Sequence, residues 1–87
     1  MLNREKISEK IKAIIANNLD ENEHIDFKKN FEDLGVGSLM LVKIMVELEI
    51  EFDMEFDDNY YTFEYHDISE FVNKITVALL GENGYDN

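Results

Sequence analysis

Within Asp33 to Phe52, DLGVGSLMLVKIMVELEIEF, a lone hydroxyl, Ser38, follows Gly35 and Gly37 and opens a long apolar run. A nucleophilic serine on a strained elbow needs glycines two residues before and two after it, and Val36 and Met40 stand there instead. His24 and His66 could supply a base, but a small helical bundle offers no ready oxyanion site to complete such an enzyme. Two histidines of unknown separation define no metal site. The segment Asp20 to Phe31 is a poor calcium loop: His24 takes the fifth position, Ile25 replaces the turning glycine, and Phe31 replaces the bidentate glutamate. Gly35-Val36-Gly37 lacks the third glycine of a dinucleotide loop and follows no strand. With no cysteine in the chain, disulfides, thiolate metal sites and a cysteine nucleophile drop out, and any thiol must be imported. Taken by itself, Ser38 reads as the cap of a helix N-terminus.

The elements that would position this serine are legible from periodicity. Ile7, Ile11, Ile14, Ile15 and Leu19 recur at helical spacing opposite Glu5, Lys6, Glu9, Lys10 and Lys12, predicting a first helix over residues 4–19 that ends near Asn17 and Asn18. From Asp20 to Gly37 the apolar residues Ile25, Phe27, Phe31 and Leu34 are too irregular for one helical face and predict a long loop pinned to a core. The segment from Val46 to Asp57 alternates as a strand would, yet no second alternating segment exists to pair with it. Leu41, Ile44, Met45, Leu48 and Phe52 also obey the helical rule, so a helix is expected from Ser38 to about Phe52, with Met54 and Phe56 dipping back into the core. Asp67 with Glu70 forms an acidic capping box before the stripe Ile68, Phe71, Val72, Ile75, Leu79, and Gly81 is the expected stop. Residues 57–65 leave room for a short helical turn.

The expected fold is therefore all-α, a small bundle of three main helices with a short fourth. One domain spans residues 1–80, with a disordered tail over 81–87.

Twenty acidic residues against eight basic ones give a net charge of -12. Such a surface repels phosphate backbones and anionic lipid, so nucleic acid is not an expected partner and basic protein surfaces are. Neither a secretory signal nor a membrane span is recognisable, and the expected location is cytoplasmic.

The segment FEDLGVGSLMLVKIMVELEIEFDMEF, with its apolar and acidic residues before Leu-Gly, a short turn and Ser-Leu opening the second helix, resembles the signature of the acyl and peptidyl carrier proteins. The likeness covers about residues 4 to 80. It implies that Ser38 is the attachment point for covalent 4'-phosphopantetheine, flanked by Gly35, Gly37 and Leu39, and that the chain is no enzyme. It implies a carrier, free-standing and monomeric, that holds an acyl or aminoacyl group as a thioester. A phosphopantetheinyl transferase and the acyl- or aminoacyl-loading and downstream biosynthetic enzymes, with basic docking surfaces, would be its partners.

On that resemblance Ile44, Met45, Leu48, Phe56 and Ile68 would line the shelter for an acyl chain, while Leu39, Val42 and Val46, flanked by Glu47 and Glu49, would face partners. The alternatives are a peptidyl or aminoacyl carrier loaded by an adenylating enzyme, and a carrier-like interaction module that is never modified. Gly37 stands where fatty-acid carriers have aspartate, Lys43 lies on the partner helix, Asp53 takes the place of a helix-ending glycine, and Asp57 that of a proline. These departures point to a specialised pathway.

Overall fold

The computed structural model describes residues 3–19, 25–62 and 64–82. Three α-helices, α1 (Arg4–Asn18), α2 (Ser38–Phe52) and α3 (Ile68–Glu82), are joined by loops that each contain one 3₁₀ turn, Glu32–Leu34 and Asp58–Tyr60. No strand occurs among the described residues, so the alternation after Val46 is carried by a helix as far as Phe52. The expected short fourth element is the second of these turns; the first had no periodic signal.

Each helix buries most of the stripe its spacing predicts, with Ile14 and Leu19 of the first stripe only half-buried. Ile7, Ile11 and Ile15 of α1 meet Leu41, Ile44, Met45, Leu48 and Phe52 of α2 and Ile68, Phe71, Val72, Ile75 and Leu79 of α3 in one core, and α1 packs against both other helices. Asn3 caps α1, its Oδ1 accepting from the amide of Lys6 at 2.9 Å. Lys10 joins α1 to α2 through Glu51 at 2.8 Å. Exposed as it is, this pair contributes ~0–1 kcal/mol.

The first loop is tied to the start of α3. The amides of Ile68 and Ser69 donate to the carbonyls of Lys29 (2.9 Å) and Phe27 (2.8 Å), and the Ser69 hydroxyl also reaches the Phe27 carbonyl at 3.1 Å. Phe71, fully buried, meets Phe31 edge-on at 5.0 Å and Tyr65 edge-on at 5.2 Å. Edge-to-face pairs of this kind contribute about 0.5–1.5 kcal/mol each beyond their burial. At the head of α3, Asp67 Oδ1 accepts from the Glu70 amide at 2.8 Å while Glu70 Oε1 accepts from the His66 amide at 2.7 Å. The capping box is thus made, with its return bond one residue earlier than the usual pattern places it.

One expectation is corrected at the end of an element. Gly81 does not stop α3, which runs to Glu82; residues 83–87 of the expected tail lie outside the described residues. Glu49, half-buried beside the strip, also ties the second loop to α2: its Oε2 accepts from the amide of Phe56 at 2.9 Å and from the hydroxyl of Tyr61 at 3.0 Å. These bonds draw the second loop back over α2, which buries Phe56 and half-buries Met54. Asp53 ends α2 in the left-handed region at φ 52°, ψ 52°, the conformation its position demanded of a glycine. Asp53→Gly should relieve that strain and stabilise the fold by about 0.5 kcal/mol after the entropy gained by the unfolded chain, read as a higher urea midpoint.

The Tyr65 hydroxyl is buried with no hydrogen-bond partner among the described residues. Burial, with the charges of Tyr60 and Glu70 adding, pushes this phenol from 10.0 up to about 12. The folded state therefore keeps a proton that the unfolded chain releases near pH 10, so this contribution is complete below pH 10 and is lost as pH rises toward 12. Tyr65→Phe should stabilise the protein at neutral pH by about 1 kcal/mol, because an orphaned buried hydroxyl is removed, and should flatten the alkaline fall in stability measured by urea titration at successive pH values.

Candidate functional site

Ser38 is presented by a turn built on Phe31. With its ring in the core, the Phe31 carbonyl accepts from the amides of Leu34 (3.1 Å) and Val36 (3.0 Å), and Asn30 Oδ1 accepts from the Asp33 amide at 2.8 Å to start the turn. Gly35 closes it at φ 79°, ψ 19°, left-handed space where an L side chain is strained. Val36 is then buried as a plug, Gly37 is extended at φ −95°, ψ −176°, and the Leu41 amide makes the first helical bond to the Gly37 carbonyl at 3.0 Å.

Between the buried Val36 and Leu41, Ser38 stands exposed as the first residue of α2. Its hydroxyl makes no hydrogen bond to any described residue. Gly37 offers no side-chain cap, so the amides at the head of α2 are left for water or a ligand. No acidic residue lies in this first turn. In a chain of charge -12, that leaves the positive end of the helix dipole unopposed at Ser38, and a phosphodiester on its oxygen would be stabilised there. The residues present therefore fit a phosphate-linked arm.

Only one of the two flanking glycines is needed for its conformation. A side chain at Gly37 would meet nothing within 4 Å and its φ is ordinary, whereas Gly35 holds the positive φ. What the pair shares is open space at the position a Cβ would take.

Of the residues expected to face partners, Leu39 is 88% exposed, Val42 45% and Val46 42%, and Ile50, 75% exposed, extends the same strip. Sequence periodicity left the direction of Ile50 undecided because it sits among the alternating residues. Lys43 is exposed and Glu47 and Glu49 are half-buried beside the strip. Beyond Val46 and Ile50 the strip opens into a hollow of about 480 Å³ bordered by Met54 and by the acidic residues Glu49, Asp53 and Glu55.

The five residues expected to line an acyl shelter, Ile44, Met45, Leu48, Phe56 and Ile68, are all buried members of the one hydrophobic core. His66 is exposed, and His24 lies outside the described residues. Among the described residues no three metal-ligating side chains converge, and no helix is long and apolar enough to cross a membrane.

A family model described as phosphopantetheine attachment site matches residues 9–75. No curated protein and no solved structure matches the chain. The matched span takes in most of α1, the whole of α2 with Ser38 at its head, and the first half of α3. By that match over most of its length, and by an all-helical fold of the corresponding size, the chain belongs to the phosphopantetheine attachment site family, which is defined by covalently attached 4'-phosphopantetheine.

Proposed function

We propose that this chain is a non-catalytic carrier, modified on Ser38, that holds an acyl or aminoacyl group as a thioester and presents it to partner enzymes in a dedicated cytoplasmic pathway. The observation that carries the reading is the exposed hydroxyl, bonded to no described residue, at the uncapped head of α2. In the loading step the oxygen–phosphorus bond to Ser38 forms as the pyrophosphate bond of coenzyme A breaks. The adenosine bisphosphate half leaves, and the serine proton passes to the phosphopantetheinyl transferase. When attached, the arm supplies the thiol that a chain without cysteine lacks.

The chain's own residues hold and display. Gly35 and Val36 fix the height of the serine above the core, and the strip Leu39, Val42, Val46 and Ile50 offers partners an apolar seat next to it. The overall negative charge steers basic enzyme surfaces toward it at long range. The carrier family is in general non-catalytic.

Incubation with coenzyme A and a broad-specificity phosphopantetheinyl transferase should raise the intact mass by one arm, and Ser38→Ala should abolish the gain. A wild-type chain that gains nothing would instead be an interaction module that is never modified. Leu39→Glu, at a position 88% exposed, should leave the thermal midpoint unchanged while slowing modification by about tenfold, the effect of losing one apolar anchor at an interface.

A further inference from the structure

Basic side chains are scarce in this chain, eight against twenty acids, yet two of them border one hollow. The seam between α1 and α3 holds a space of about 180 Å³, walled on one side by Arg4, Ser8 and Lys12 and on the other by Ser69, Asn73 and Thr76, and no carboxylate borders it. Arg4, Ser8 and Lys12 are four residues apart and so share one face of α1. Two other hollows have the opposite sign: the one at the end of α2 is bordered by Glu49, Asp53 and Glu55, and a further one of about 140 Å³ by Glu55 and Asp57.

The cations of the seam are unspent. Arg4 and Lys12 are exposed, and among the described residues the one ion pair is Lys10 with Glu51. Lys12 rests over the Phe27 ring at 5.2 Å, and the Phe27 carbonyl accepts from the Ser69 amide and hydroxyl, so this cation is stationed beside the α3 wall. Thr76, buried, donates to the Val72 carbonyl at 2.7 Å. With the protons of Ser69 and Thr76 turned into the protein, the donors left for a ligand are the Arg4 guanidinium, the Lys12 ammonium, the Ser8 hydroxyl and the Asn73 amide, none hydrogen-bonded to a described residue. Two cations, two neutral donors and no acid suit a doubly charged oxyanion with several acceptor oxygens. The space equals the liquid volume of about six waters, the scale of one such group with its hydration.

We propose that the seam between α1 and α3 is a phosphate-binding site, taking inorganic phosphate or the phosphate of a small monoester. It uses no residue of α2 and stands apart from Ser38. The net charge opposes an anion's approach, so the local cations set a modest affinity, a dissociation constant of about 1 mM.

The test titrates the full chain with inorganic phosphate and, separately, glycerol 3-phosphate at about pH 7.5, where both are largely dianionic, with sodium chloride holding the ionic strength constant. Backbone amide NMR should show saturable shifts centred on Ser8, Lys12, Ser69 and Asn73; the tighter of the two titrants identifies free phosphate or a monoester as the source. The double variant Arg4→Gln, Lys12→Gln should weaken binding at least tenfold with an unchanged thermal midpoint, while Lys6→Gln, Lys43→Gln, which removes the same charge elsewhere, should leave it within twofold. Shifts that drift without saturating, that scatter over the chain, or that weaken equally in both double variants would overturn the proposal.

Discussion

Phe31 is the joint on which the display of Ser38 depends. Its ring is held edge-on by Phe71 in the core, while its carbonyl takes the amides of Leu34 and Val36. One residue therefore fixes both the depth of the first loop and the place where the chain turns into α2. Burying a phenylalanine contributes about 1.5–3 kcal/mol, a large share of the stability a domain of this size can muster. The turn above it therefore has a rigid base. The serine in turn is held on the surface by the buried Val36 before it and Leu41 after it.

The acidity of the chain is put to local use. Asp26, Glu49, Asp57, Asp67 and Glu70 each accept a backbone amide, four of them at a turn or at the head of a helix and Glu49 from the loop that follows its own helix. Amides that cannot find a carbonyl are satisfied by carboxylates, as a domain with long loops and no sheet requires. The head of α2 stands apart from this habit, being without a side-chain cap or a first-turn acid.

The three helices were readable because burial imposes a period of 3.6 on apolar residues, and Ile7, Ile11 and Ile15 or Ile68, Phe71 and Ile75 keep it cleanly. The competing alternation after Val46 was settled by counting partners, since a strand alone cannot satisfy its backbone. Residue type does not tell where a side chain points, however. The two bonds that Glu49 accepts could not be read from spacing, because their donors, the Phe56 amide and the Tyr61 hydroxyl, lie seven and twelve residues further on. Gly81 looked like a terminator because glycine often is one, yet a helix continues through it when no left-handed turn is imposed. The need for glycine at 35 but not at 37 depends on φ alone, which spacing does not reveal.

The strip from Leu39 to Ile50 runs along about 18 Å of helix and carries greasy side chains at its turns. On the proposed reading, a partner seated on this strip buries hydrocarbon and so lowers the heat capacity on association, while the chain's net negative charge acts on its approach and is screened by salt.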